Sequence, residues 1–298
     1  MDRNLPIGFF AALAAALVGS AWQLISRHGV TTTLGPLDIA LLRYGIPALL
    51  LCPFLFGQAP SSPKAPRMAL VLLVLGGGLP FGLLVLAGAQ WAPASHMGVF
   101  LAGSLPLFTA IGARIHKGEK VQGLRLIGLC CIALGMALFA VASFRPGSLS
   151  WQGDLLFLAA AMLWAVYSLA FGHCGLTPWQ GAAFVNGWST LLLLPLLWFT
   201  GMPRLLGAPW PDVALQAVGQ GVVAGTLGLV IYAVAISHLG AARASLSAAA
   251  VPVLTTLGAA FFMGEPITVA VVLALALVVP GIVLASGAIR RDARLRLR

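Results

Sequence analysis

The chain has 298 residues, 60% hydrophobic and 8% charged, with a mean hydropathy of +1.01 and a formal net charge of +10. Soluble proteins carry about 25% charged residues, so the composition excludes a soluble globular enzyme and describes an integral membrane protein. At roughly 20 apolar residues per spanning helix, this length holds about ten spans and leaves no room for a soluble domain.

Ten apolar runs follow one another, at 6–26, 36–57, 68–90, 94–115, 122–143, 151–172, 177–200, 211–237, 240–263 and 266–289. They are rich in Leu and Ala and lack the short alternating pattern of an outer-membrane barrel, so an all-α membrane fold of ten transmembrane helices is expected. The first run starts at Pro6, has no convincing small-residue cleavage site and matches a later segment, and so reads as a retained helix rather than a signal peptide. It carries Gly8, Ala12, Ala15 and Gly19 at helical spacing, then Trp22 and Gln23.

The second run holds Arg43 and Tyr44, with Asp38 five residues before the arginine. Arg43 either attracts a substrate carboxylate or snorkels to the surface, and Asp38 either partners it or sits at the headgroups. Gly78, Pro80, Gly82 and Gln90 mark the third run, and His96 opens the fourth. That histidine either senses protons or is structural. Trp164, Tyr167 and Ser168 lie in the sixth run, Asn186 and Trp188 in the seventh, Tyr232 in the eighth and Ser245 in the ninth. The fifth and tenth runs have almost no polar residue and are expected at the periphery.

The stretch from Pro106 to Glu119 recurs from Pro252 to Glu265, with six of fourteen positions identical. Weaker matches carry the duplication further: Leu13–Ala16 with Leu158–Ala161, His28 with His173, Pro36 with Pro178 and Pro53 with Pro195. Two halves are expected, residues 1–147 and 148–289, followed by a basic tail, 290–298. Each half holds five spans, an odd number, so the second copy is inverted relative to the first around a central cavity, an arrangement typical of transporters. Pro106 and Pro252, placed equivalently by the duplication, are candidate hinges, and small-residue faces such as that of Gly19 let helices slide. Gly118-Glu119 and Gly264-Glu265 close the fourth and ninth spans. Each glycine suits a left-handed helix end. Each glutamate either caps the start of the next helix, with Pro266 as its first residue, or takes part in gating.

With the N-terminus inside, thirteen of the seventeen Lys and Arg residues fall on the inner face, whereas Arg27, Arg145 and Arg204 fall outside. That bias sets both termini in the cytoplasm. The arginines of the tail anchor this topology on anionic lipid or form a nucleic-acid or lipid-binding arm; the anchor is the preferred reading, and no nucleic-acid partner is expected.

A polar side chain at membrane depth is costly unless it faces protein or water, so a short list of candidates for substrate binding stands out: Trp22, Gln23, Arg43, Tyr44, Gln90, His96, Trp164, Tyr167, Ser168, Asn186, Trp188 and Tyr232. Trp22 and Gln23 align with Tyr167 and Ser168, giving an aromatic plus a hydrogen-bonding neighbour at one level of each half. Such a cavity recognises a small molecule with an apolar body and a polar or zwitterionic head. Trp22 and Trp164 either line it or pack, whereas Trp91, Trp151, Trp179 and Trp210 read as interfacial belts. Gly19, Pro106, Pro252, Glu119 and Glu265 are the hinge or gating candidates. None of the seven acidic residues lies near the middle of a span, which argues against a strongly cationic substrate. Cys52, Cys130, Cys131 and Cys174 have neither metal nor disulfide spacing and read as small buried hydrophobes.

Together the duplicated five-helix unit, the paired Pro106/Gly118-Glu119 and Pro252/Gly264-Glu265 blocks, Trp22 and Arg43 make the chain resemble the drug/metabolite transporter superfamily, specifically the EamA-type ten-helix exporters, over about residues 6–289. The resemblance implies a basket of the first four and the sixth to ninth helices, alternating access between the halves, and a bacterial cytoplasmic (inner) membrane. Within the superfamily the chain is most similar in character to the YddG-type amino acid exporters. That implies export of aromatic or other neutral amino acids and related small metabolites, with a drug or quaternary-ammonium exporter as the alternative. The expected partners are a small-molecule substrate and the lipid bilayer, with a monomer as the unit, no cofactor and no metal. A membrane-embedded enzyme would need clustered chemistry, and the five histidines are scattered; a structural or receptor role is the third reading.

Overall fold

The computed structural model describes residues 4–56, 66–144, 146–200, 204–239 and 247–286. The expectations that fall on Arg3, Lys64, Arg145, Arg243, Ser245 and the tail 290–298 lie outside the described residues. Those described form helices and connections with no strand among them.

Helix α1 (Asn4–Thr31) is unbroken. The second run divides into α2 (Pro36–Leu50) and the short α3 (Cys52–Phe56). Pro53 has no N–H to offer the carbonyl four residues back, and its ring crowds that carbonyl. The third run divides at Gly78 into α4 (Arg67–Gly77) and α5 (Leu79–Trp91), with Pro80 in the first turn of α5. The backbone groups released at this break are satisfied from neighbouring helices. The Tyr44 hydroxyl donates to the Gly78 carbonyl at 2.6 Å, and the Leu79 N–H donates to Ser189 Oγ at 3.0 Å. In lipid such partners are what make an interrupted helix tolerable.

The fourth run begins as α6 (Ala94–Met97), widens into a π-helical turn (Gly98–Ala102) and resumes as α7 (Leu105–Lys117) with Pro106 in its first turn. There follow α8 (Leu124–Ser143), α9 (Ser150–Phe171) and α10 (Pro178–Thr200). The eighth run is α11 (Trp210–Gln216), a long π-helical segment (Ala217–Gly228) and α12 (Leu229–Leu239). The last two helices are α13 (Ser247–Met263), with Pro252 inside it, and α14 (Val269–Ala285).

Seven helices among the described residues are long and apolar enough to cross a membrane, and Ala248–Met263 and Val269–Ala285 are shorter apolar helices. The protein is a multi-pass membrane protein. Its apolar exposure agrees with this: Leu126, Ile127, Leu134, Leu138 and Val141 of α8 and Trp198 and Phe199 of α10 point outward, as in a chain whose solvent is hydrocarbon. Trp91, Trp151, Trp179 and Trp210 are exposed as well.

Helices α8 and α14 lie face to face. Gly128, Gly135 and Gly281 occupy the crossing; a Cβ on Gly128 would fall 2.5 Å from both the Ala285 nitrogen and the Gly281 carbonyl oxygen. Small residues let the backbones approach this closely, where lipid supplies no hydrophobic drive. Helix α9 packs against α4, α5 and α7, while α1 packs against α12, α13 and the second π-helical segment, and α2 packs against α10.

Gly118 and Gly264 both have φ of 66°, the left-handed helix end expected of them. The two glutamates that follow do not cap the next helix. Helix α8 begins at Leu124 and α14 at Val269, where Thr268 is the N-cap, so Pro266 is not a helical residue. Of the four cysteines only Cys174 is buried; Cys52 and Cys130 are exposed and Cys131 is half-buried, so the reading as buried hydrophobes fits Cys174 alone. Burial raises the Cys174 thiol pKa, and its Sγ donates to the Phe171 carbonyl.

Candidate binding cavity

A cavity of about 870 Å³ of empty space, its open mouth included, lies among α1, α2, α5, α7, α9, α12, α13 and the two π-helical segments. The middle of α1 contributes Ala15, Ala16, Val18, Gly19, Trp22 and Gln23. Facing them are Phe81, Leu101, Ala102, Leu105 and Trp164 on one side and Ala224, Gly228, Leu229, Tyr232, Ala248 and Val251 on the other. Among the described residues, Arg43 is the only charged side chain in this wall.

An aromatic series crosses the cavity. The Arg43 guanidinium carbon sits 4.7 Å from the centre of the Trp22 ring, a cation–π distance. Trp22 stacks on Phe81 at 5.8 Å, Phe81 meets Trp164 at 4.9 Å, and Trp164 meets Tyr167 at 4.9 Å. Arg43 is 6% exposed, so it does not snorkel to the surface. Nor is Asp38 its partner: the Asp38 carboxylate accepts the Gly35 N–H at 2.8 Å and the Leu205 N–H at 2.9 Å. The Arg43 Nε and Nη1 and the Trp22 Nε1 are buried with no hydrogen-bond partner among the described residues.

Of the twelve binding candidates read from the sequence, Trp22, Gln23, Arg43, Trp164 and Tyr232 line the cavity. Gln23 is buried, and its Oε1 accepts the Thr255 hydroxyl at 2.9 Å. Tyr44 is not among the wall residues: its hydroxyl donates to the Gly78 carbonyl, and its ring lies 5.5 Å from the Arg43 guanidinium carbon. Tyr167 is buried against α4, where Gly76 and Gly77 admit it, and Ser168 donates back to the Trp164 carbonyl at 2.8 Å. The paired level of the two halves is therefore filled by Trp22 and Trp164 rather than by Trp22 and Tyr167. Asn186 pins α10 to the second π-helical segment by donating to the Gly225 carbonyl at 3.2 Å. Gln90 and Trp188 are exposed, away from the wall. His96 is buried, with Nδ1 2.8 Å from the Asp154 carboxylate.

Both paired prolines touch the site through their neighbours. Proline has no N–H for the carbonyl four residues back, and for Pro106 and Pro252 those residues are Ala102 and Ala248, both in the cavity wall. Pro252 also lies against Gly98, whose added Cβ would come 3.2 Å from the Pro252 Cα. Gly19 faces the cavity with Val251 as its nearest neighbour.

Beyond Gln23 along α1 the structure closes. Arg27 donates from Nη1 to the carbonyls of Ala89 and Gln90, and its Nε is 3.5 Å from the Glu265 carboxylate. Glu265 also accepts the Ala94 N–H at 3.0 Å and the Ser95 N–H at 3.4 Å, so it caps α6 in the other half of the chain. Nearby, Thr33 donates to Asp212, Gln216 to the Ile25 carbonyl and Gln220 to Ser26. Gln23, the last α1 residue of the wall, and Arg27 are four residues apart, which is about 6 Å of helix rise, so the closure begins about one turn beyond the cavity. Glu119, in contrast, is exposed and 3.7 Å from Arg125. Arg27, Asp154 and Thr255 were not among the sequence candidates; the first two are charges within a few residues of a span end, a signal that served only for topology.

The sequence profile of the EamA-like transporter family matches residues 6–141 and again residues 151–287. An uncharacterized transporter of Bacillus subtilis, YyaM, is 28% identical over 86% of this chain and 86% of its own length. A riboflavin transporter of Brucella anthropi is 26% identical over 70% of each chain. A crystal structure of a protein 21% identical in sequence superposes with a TM-score of 0.65 over 96% of this chain and 98% of its own, a likeness of fold.

Proposed function

This chain belongs to the EamA-like transporter family, and on that premise we propose that it exports amino acids, aromatic or other neutral ones, and related small metabolites across the bacterial cytoplasmic (inner) membrane by alternating access. In this reading ten spans form two inverted five-helix repeats, residues 1–147 and 148–289, with both termini and the tail 290–298 cytoplasmic. The helix pairing supports the arrangement. The first helix of each half packs on the third and fourth of the other, the second helices pack on each other, and so do the fifth, as a pseudo-twofold relation requires. A monomer and a small-molecule substrate complete the assignment, with no catalysis and no nucleic acid involved.

The observation that carries the mechanism is the pairing of a cavity around the middle of α1 with a polar closure at its C-terminal end. With the N-terminus inside, this is an inward-open state whose outer door is held by Glu265, Arg27 and the start of α6. Substrate would enter among Gly19, Trp22, Arg43, Trp164 and Tyr232. Rearrangement around Pro106 and Pro252, whose helices meet at Gly98, would close the inner side and release the outer contacts. Transport needs binding energy only for the difference between the two states, so a wall of aromatic and small residues suits a carrier better than a deep polar trap does.

Counterflow in proteoliposomes tests the reading. Vesicles preloaded with one unlabelled amino acid should accumulate labelled aromatic and neutral amino acids, with riboflavin included because a relative carries that name. Absence of accumulation for all of them, in vesicles whose protein is folded, removes the amino acid assignment. A drug or quaternary-ammonium substrate would call for acidic residues in the wall, where the described structure has Arg43 instead.

A further inference from the structure

We infer that Arg43 and the Trp22 indole N–H form an anion subsite, and that the solute carried is a net monoanion with a planar acceptor head, such as a carboxylate, on a flat apolar body. This rests on the cavity being the substrate site, as proposed above, and shifts the substrate class from the neutral amino acids to the related small metabolites that carry a net negative charge. Six buried side-chain atoms lack a partner among the described residues, and three of them are at the cavity: Arg43 Nε, Arg43 Nη1 and Trp22 Nε1. All three are N–H donors. A donor buried without an acceptor loses its hydration and gains nothing in return, and a guanidinium has no acceptor capacity of its own and stays charged. The group that satisfies all three must supply several lone pairs from one place, which is what a carboxylate does for the fork of an arginine.

Charge balance separates an anion from a zwitterion. The described wall contains one positive charge and no carboxylate. Glu265, Asp154 and Asp38 are each engaged elsewhere, by the α6 amides and Arg27, by His96, and by the Gly35 and Leu205 amides. A monoanion therefore brings the cavity to neutrality, whereas a zwitterion leaves it positive and adds an ammonium. The carbonyls freed by Pro106 and Pro252 offer dipoles to a hydroxyl or amine, not a countercharge. An isolated charge in a low-dielectric site is strongly penalised. The body of the solute is set by the continuous aromatic surface of Trp22, Phe81 and Trp164, whose rings meet one another at 5.8 and 4.9 Å; a flat apolar group packs against that surface.

The test keeps the body fixed and varies the head. Binding of 3-phenylpropionate, phenylalanine, phenethylamine and 3-phenylpropanol to the purified full-length protein is measured by calorimetry, with counterflow of the first two in proteoliposomes. The expected result is that 3-phenylpropionate binds at least roughly tenfold more tightly than the other three. Arg43→Gln should bring it down to about the level of the alcohol, and Arg43→Lys, which keeps the charge but loses the fork, should lie between. The ranking of heads on the unaltered protein stands even if a variant fails to fold. Tighter binding and exchange of phenylalanine would overturn the net monoanion and leave amino acid export standing. Equal binding of all four heads would overturn it too. No binding of any of the four, with no exchange of the amino acid panel or riboflavin, would overturn both.

Discussion

Replacing Glu265 by alanine should unlatch one end of the molecule. In the structure this carboxylate accepts the N–H groups of Ala94 and Ser95 and faces Arg27 Nε at 3.5 Å, with Glu265 14% and Arg27 19% exposed in their side chains. Loss of a capping acceptor costs about 0.5–2 kcal/mol. Stranding a buried partner adds about 1–3 kcal/mol, less what water recovers at a partly exposed site. Taking about 2 kcal/mol as the part specific to the closed state, at about 1.4 kcal/mol per tenfold, the ratio of open to closed shifts roughly 30-fold. A resting open fraction of about 1% would then become about 20%. Ser95, 5% exposed beside Glu265, is the place to read this. With Cys52, Cys130, Cys131 and Cys174 replaced, a cysteine introduced at Ser95 should react with a membrane-impermeant maleimide on intact cells some 20 times faster in Glu265→Ala, with Glu265→Gln intermediate. An unchanged rate in a variant that melts normally would refute the view that Glu265 holds the closure.

Elsewhere the structure separates stability from transport. Gly128→Ala should lower the melting temperature in detergent, at a cost of about 1–3 kcal/mol from overpacking against α14, since its new methyl meets backbone at 2.5 Å. Gly19→Ala, with nothing nearer than Val251 at 3.7 Å, should melt like the unaltered protein. Tyr44→Phe strands the Gly78 carbonyl and should lower the melting temperature in the same assay, at a cost of about 1–2 kcal/mol. Trp22→Ala and Trp164→Ala should each raise KM severalfold or more without unfolding the protein, and normal transport by both would remove them from the site.

The class of fold was legible because hydropathy and length leave so few choices, and because Pro106–Glu119 and Pro252–Glu265 share enough residues to betray a duplication. The interior of the helices was less so. Pro80, Pro106 and Pro252 were visible within the spans, but not what each does to its helix: a break at Gly78, a π-helical turn at Gly98–Ala102, and an unbroken helix through Pro252. Those outcomes depend on whether a neighbour can satisfy the released groups, and the neighbour is far away in sequence. The site shows the same division. Trp22, Gln23 and Arg43 were visible because a polar or aromatic residue deep in a span needs a reason. The sequence alignment paired Trp22 with Tyr167, yet Trp164, three residues earlier, is the one that reaches the cavity, since Gly76 and Gly77 draw the Tyr167 face of α9 against α4.

What single-segment reading misses most is that the polar groups at the closed end are shared between the halves. Glu265 serves α6, Asp154 serves His96, Asp38 serves the Leu205 N–H, Asp212 serves Thr33, and Gln216 and Gln220 serve the end of α1. In the sequence Asp38 and Glu265 were each read against their own span, where a carboxylate near a helix end looks like a cap or a headgroup contact. Together the groups make a layer shared by the two halves that takes four of the seven acidic residues, Asp38, Asp154, Asp212 and Glu265. Those four carboxylates cannot serve the cavity. The absence of acid from its wall is thus a consequence of where the closure needs its acceptors, and the unpaired Arg43 on the other side of Gln23 is left for the solute to neutralise.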